Sequence, residues 1–135
     1  MNKVFIDTSY LLALELAKDQ HHLIALQHWQ NVPLTSTQFI TTSYIFDEIV
    51  TFFNRYGYHA QAAKLGDSIL SSPTIQLVHI NESWFYQGWN YFCQHGDKAY
   101  SLTDCISFVV MTEMGIKTAY TFDHHFVQAG FIKEP

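Results

Sequence analysis

Four carboxylates stand where the chain has a local reason to gather them. Asp7 follows directly on the apolar run Val4-Phe5-Ile6, and Asp123 follows a second β-prone run at 117–121 in the same way. In a parallel α/β sheet, ligands bind just beyond the carboxyl ends of the strands, so two such acids meet along one sheet edge. Asp104, in Ser101-Leu102-Thr103-Asp104, falls in the first turn of an apolar helix that reaches the same edge. Glu48 lies within a helical stripe that includes Ile45 and Phe52, where a carboxylate is costly unless it is paired or bound to a cation. Four acids held together raise one another's pKa unless cations neutralise them. One or two Mg²⁺ or Mn²⁺ ions, which prefer oxygen donors, are the simplest answer, whereas all-oxygen ligation argues against zinc. The chemistry that such a group supports is hydrolysis assisted by a divalent cation.

Each acid also has a duller explanation. Ser101 and Asp104 spell a variant of the capping box, Asp123 suits a turn, Glu48 suits a helix surface and Asp7 a helix entry. Jointly these require four coincidences, which favours the shared site.

The elements that must position the acids alternate along the chain. After the opening strand, 8–17 reads as a helix capped by Thr8 or Ser9. A second helix at 21–30 shows Leu23, Leu26 and Trp29 on one face, and Asn31-Val32-Pro33 ends it. Residues 34–40 form a β-prone piece. A helix over 42–56 carries the stripe Ile45, Ile49, Phe52 and Tyr56, with Gly57 beyond its end and Asp47 on its polar face. A helix at 59–70, a strand at 75–80 and an aromatic helix at 81–94 follow. Phe85, Trp89 and Phe92 share a face of the last, which fits core or a dimer contact better than a platform for stacking bases. The helix from Ser101 to Met114 is apolar nearly all round and therefore central. The chain closes with the strand at 117–121, the Asp123 turn and a tail, Lys133-Glu134-Pro135. This alternation predicts an α/β fold, a parallel sheet sandwiched by helices, in a single domain spanning 1–135.

Composition bounds the class. With 135 residues, 48% hydrophobic and 14% charged, the chain has ample core material and is not disordered. Two cysteines without C-x-x-C spacing write neither a disulfide framework nor a zinc ribbon, and a reducing cytoplasm is the expected setting. No apolar run is long enough for a membrane span. The net charge of −5 argues against nucleic acid as a partner, but four of the negative charges sit on the candidate ligands, where bound cations would make the site attractive to phosphate.

Phe5-Ile6-Asp7-Thr8-Ser9, the Glu48 of Tyr44-Ile45-Phe46-Asp47-Glu48, Ser101-Leu102-Thr103-Asp104 and Thr121-Phe122-Asp123-His124-His125-Phe126 together resemble the PIN domain, most closely its VapC-type toxin nucleases. The resemblance runs from Val4 to Phe131 with all four acids in the family's order, and the Asp19, His22 and Ala25 pattern resembles a structural feature of the family. It implies a three-layer α/β/α fold and metal-dependent endonucleolytic cleavage of RNA, leaving a 5′-phosphate and a 3′-hydroxyl. Asp7, Glu48, Asp104 and Asp123 would hold Mg²⁺ or Mn²⁺. It also implies a homodimer and a small cognate antitoxin that inserts into the site.

Around this group, Thr8 and Ser9 are candidates to orient a ligand carboxylate or a water. Arg55, Lys98 and His125 are candidates to touch substrate, with His124 beside the same acid and Asp97 assigned to a turn. Two rivals differ in class. A phosphatase with Asp7 as nucleophile usually carries a second Asp two residues on, where this chain has Ser9. A non-catalytic PIN-like module that holds RNA or protein would fit the scarcity of basic residues, a single Arg among them.

Overall fold

The opening strand β1 (Asn2–Ile6) buries Val4, Phe5 and Ile6 in succession, which requires cover on both faces and places it at the middle of a sheet. A computed structural model, which describes residues 1–135, shows that sheet as five parallel strands in the order β3-β2-β1-β4-β5. The others are β2 (Thr37–Thr42), β3 (Ile75–Val78), β4 (Thr118–Tyr120) and β5 (Ile132–Glu134). Phe5 is registered with Ile40 on one side and Ala119 on the other, so β1 separates two halves of the sheet that the chain visits in opposite directions. The carboxyl ends of β1 and β4 therefore form a topological switch point.

Seven helices cover the sheet: α1 (Thr8–Glu15), α2 (His22–Gln30), α3 (Ser43–Arg55), α4 (His59–Ser71), α5 (Glu82–Gln94), α6 (Leu102–Glu113) and α7 (His125–Gln128). α1 packs on α2 and α3, and α3 on α4, while α5 packs on α6 and α6 on α7. Right-handed crossovers put the first group on one face and the second on the other once the strand order reverses at β1. The expected central helix is α6, buried without a break from Asp104 to Met111.

Several expectations change. Residues 133–135 are not a tail: Lys133 and Glu134 belong to β5, which pairs with β4 through Ala119↔Lys133 and Tyr120↔Glu134. A three-residue edge strand carries too little apolar alternation to be read. Strand β2 begins at Thr37 because Pro33 starts a 3₁₀ turn at Leu34–Ser36, its carbonyl accepting from Ser36 N at 3.1 Å and Thr37 Oγ1 at 2.9 Å. The cap of α1 is Asp7 itself, not Thr8 or Ser9.

On α2, Leu23 is 72% exposed and Ala25 is the buried residue. Two histidines turn the helix, as His28 Nδ1 meets Tyr10 Oη at 2.7 Å and His22 Nδ1 meets the Ala13 carbonyl at 2.7 Å. The Asp19 carboxylate holds the turn before it by accepting from His21 N at 2.8 Å. On α3, Phe53 completes the buried line with Ile45 and Ile49, leaving Phe52 half-buried and Tyr56 62% exposed.

On α5 the residue against the core is Gly88, flanked by half-buried Trp84 and Tyr91. Of the expected face only Phe85 is half-buried, and Trp89 and Phe92 stack in the open with centroids 5.6 Å apart. A Cβ at Gly88 would lie 2.5 Å from Ile106 Cγ1 and 3.3 Å from its Cα, an approach only glycine allows. Gly88→Ala is therefore expected to cost about 1–3 kcal/mol by overpacking α5 against α6. A urea midpoint equal to the parent's would show that Ile106 yields freely.

Candidate metal centre and its cleft

Asp7, Glu48, Asp104 and Asp123 all line one cleft of about 650 Å³ at the carboxyl edge of the sheet. Asp7 and Glu48 come from the α1–α4 layer, whereas Asp104 and Asp123 come from the opposite side of the switch point. The fold therefore gathers two acids from each half.

Asp7 is buried, and its placement is specified in detail. Its Oδ2 accepts from Ser9 Oγ at 2.8 Å, Thr121 Oγ1 at 2.8 Å and Ser9 N at 3.4 Å. Each hydroxyl has one proton, given to Asp7, and each hydroxyl oxygen in turn accepts a backbone N–H. Phe122 N donates to Ser9 Oγ at 3.0 Å, and Asp123 N donates to Thr121 Oγ1 at 2.9 Å. Ser9 and Thr121 thus fasten the end of β1 to the segment after β4, and they align Asp7 with Asp123. All three bonds fall on Oδ2, leaving Oδ1 for the cleft.

On the far wall, Glu48 sits on α3 with considerable exposed surface, so the buried position expected for it is not found. The stripe is rotated toward Phe53, and Glu48 faces the concavity, where Thr8 Oγ1 donates to its Oε1 at 2.6 Å. Its neighbour Asp47, on the polar face of α3, also lines the cleft and accepts from Thr51 Oγ1 at 3.2 Å. Asp104 closes the capping box read from the sequence, its Oδ2 accepting from Ser101 N at 3.1 Å while Ser101 Oγ accepts from Asp104 N at 3.0 Å. Capping and a place in the cleft are compatible.

His125 joins the two remaining acids. Its Nδ1 lies 3.1 Å from Asp104 Oδ2 and 3.3 Å from Asp123 Oδ1, and its backbone N donates to Asp123 Oδ1 at 2.9 Å. Asp104, Asp123 and His125 form the tightest group, with one donor atom from each within 4.8 Å of the others.

The electrostatics are those of a site arranged for a cation. Burial pushes Asp7 up to about 6, opposed by the Thr121 and Ser9 hydrogen bonds and reinforced by the charges of Asp104 and Asp123. Glu48 is raised by desolvation in the cleft wall, with Thr8 opposing. Asp104 is raised by burial, with its Ser101 and His125 bonds opposing. Five carboxylates line the cleft, Asp47 beside the four expected ones, against a single Lys or Arg side chain, Arg55, and that excess suits a hard divalent cation with oxygen donors.

The other sequence candidates divide. Thr8 touches Glu48 and Ser9 touches Asp7, while Arg55 and His125 line the cleft. Lys98 does not line it and pairs instead with Asp97 at 3.1 Å on the surface. Thr121 is a site residue beyond the sequence candidates; its signal is a hydroxyl two residues before Asp123, mirroring Ser9 two residues after Asp7.

Residues 4–132 match the family model of the PIN domain. The 23S rRNA-specific endonuclease VapC20 of Mycobacterium tuberculosis is 33% identical over 130 residues, 96% of each chain. Its crystal structure, described as that of a sarcin-ricin loop cleaving toxin, superposes with a TM-score of 0.86 over 96% of both chains. VapBC2 of Rickettsia felis, bound to a promoter DNA fragment, shares the fold at 10% identity and a TM-score of 0.70, covering 98% of this chain and 97% of that one.

Proposed function

The chain belongs to the PIN-domain family, and from that premise we propose that it is a Mg²⁺- or Mn²⁺-dependent endoribonuclease, the toxin of a toxin–antitoxin pair. The observation that carries this reading is the set of four carboxylates, drawn from four chain segments, that line one cleft at the switch point. The proposed ligands are Asp7, Glu48, Asp104 and Asp123. When bound, the cation supplies Lewis acidity at the scissile phosphate.

The chain's own groups do the rest. Ser9 and Thr121 fix Asp7 so that one oxygen faces the cleft, and Thr8 holds Glu48 opposite. His125 keeps Asp104 and Asp123 at a fixed separation. Arg55 offers a positive contact for phosphate at the cleft wall. The relative's substrate makes a structured loop of 23S rRNA the first substrate to offer. We assign a homodimer contact to the exposed Trp89–Phe92 pair of α5 and the cleft mouth to an antitoxin segment.

The deciding experiment incubates 23S rRNA and a synthetic hairpin of its sarcin-ricin loop with the protein and Mg²⁺ or Mn²⁺, with and without chelator. Cleavage that chelator abolishes supports the reading. Metal binding without cleavage of either RNA favours a non-catalytic module instead. Alongside that assay, Glu48→Gln is expected to weaken Mn²⁺ binding by at least about 10-fold, since an amide oxygen accepts the Thr8 bond but lacks the anionic charge. Its metal-free thermal midpoint should not fall, and undiminished Mn²⁺ affinity by calorimetry would remove Glu48 from the ligand set.

A further inference from the structure

Helix α3 brings more than Glu48 to the cleft. Phe52 and Tyr56 follow Glu48 at steps of four, so the helix carries a carboxylate and two rings along one line, with Arg55 beside them. At 1.5 Å per residue the second ring lies roughly 12 Å along the helix from the carboxylate. Phe52 and Arg55 line the cleft. Tyr56 does not line it but adjoins Phe52: their ring centroids are 4.9 Å apart, at 48° between planes, and Tyr56 is 62% exposed. Gly57, with φ +83°, ends the helix there, and Tyr58 is also about half exposed.

Core packing does not account for Tyr56. The buried line of α3 is Ile45, Ile49 and Phe53, and Tyr56 lies outside it, although its spacing in the sequence places it with the apolar residues. A half-buried ring and an exposed one beside a polar cleft, with the cleft's one Lys or Arg side chain between them in sequence, combine the two contacts that an unpaired nucleotide takes. A ring stacks the base and a cation meets the phosphate. RNA is read chiefly in loops and bulges whose bases are free to stack in this way.

We propose that Phe52, Arg55 and Tyr56 form a nucleotide subsite beside the carboxylates, in which an unpaired base next to the scissile phosphate stacks on the Tyr56–Phe52 pair while Arg55 holds its phosphate. This inference rests on the endoribonuclease reading and adds to it how the substrate is held. Cleavage is thereby directed to unpaired nucleotides, and the arrangement compensates for an otherwise acidic surface.

The test is steady-state cleavage of the sarcin-ricin loop hairpin by the parent, Tyr56→Ala, Tyr56→Trp and Arg55→Gln. Mn²⁺ affinity is measured by calorimetry, and the fluorescence of hairpins with 2-aminopurine at each loop position is followed in the uncleaving Asp7→Asn background. Tyr56→Ala should raise KM roughly 5- to 150-fold, the range that corresponds to loss of one base–aromatic stack. Its kcat and Mn²⁺ affinity should stay near the parent's, and Tyr56→Trp should restore KM. Arg55→Gln should raise KM and reduce the salt slope of binding by about one. At least one loop position should be quenched in the Asp7→Asn protein and lose that quench when Tyr56→Ala is added. Unchanged KM in Tyr56→Ala, with the quench retained, overturns the subsite and leaves the nuclease standing. Failure of the parent to cleave any RNA overturns both.

Discussion

Asp7→Asn should abolish cleavage and at the same time make the metal-free protein more stable. The loss follows from the ligand position: losing a hydrogen-bond partner behind a ligand commonly costs ~10–100-fold, and losing the anionic ligand should cost more than about 100-fold. The gain follows from the same burial that makes the site. Asp7 is buried and held up to about 6, so at pH 7.5 the folded metal-free chain carries an ionised group that the unfolded chain accommodates more easily. An amide removes that penalty and keeps the local structure. Asn is as good an N-cap as Asp, and its carbonyl accepts the Ser9 and Thr121 bonds. The expected gain is up to about 3 kcal/mol, or roughly 10 °C in Tm. A variant that loses activity and also melts lower would mean that Asp7 acts chiefly through the fold.

The second large effect is in the pH dependence of stability without metal. A carboxyl whose folded pKa is raised binds its proton more tightly in the native state, so stability falls as pH rises from the unfolded value toward the folded one. For Asp7 that window runs from about 4 to about 6. Glu48 and Asp104 are shifted in the same direction and add to the slope. Metal-free protein should therefore lose stability steadily as pH rises from about 4 to about 6, up to about 3 kcal/mol in all from Asp7, the opposite of a protein stabilised by carboxylate ion pairs. Saturating Mn²⁺ should flatten the profile and raise Tm most at the higher pH, because the ion replaces the proton as the neutralising charge. A metal-free profile that rises from pH 5 to 7 would show that the carboxylates are already compensated within the protein.

Much of the fold was legible because its signals are local. The run Val4-Phe5-Ile6 with an acid after it, the near-continuous apolar helix behind Ser101 and Asp104, and the alternation of strands with helices each reflect burial or capping that neighbouring residues decide. They sufficed for a parallel α/β sheet and for the four acids at one edge, and the family resemblance rests on those same residues. The capping box was correct at both of its members, Ser101 and Asp104.

What remained hidden depends on contacts between distant segments. Strand β5 is three residues long and is defined by pairing with β4, whose hydrogen bonds leave no period in the sequence. The rotation of α3 that buries Phe53, exposes Tyr56 and turns Glu48 into the cleft is set by packing on the sheet and α4. The proton accounting at Asp7 joins Ser9 to Thr121 across 112 residues, and His125 meets Asp104 across 21. The sequence by itself determined which residue types are available, which of them end strands or open helices, and hence that four carboxylates converge. Only the tertiary structure decided which oxygen of each faces the cleft, which hydroxyls and imidazole hold it there, and which rings stay in solvent. Those are properties of side-chain direction and separation, which local propensity does not encode.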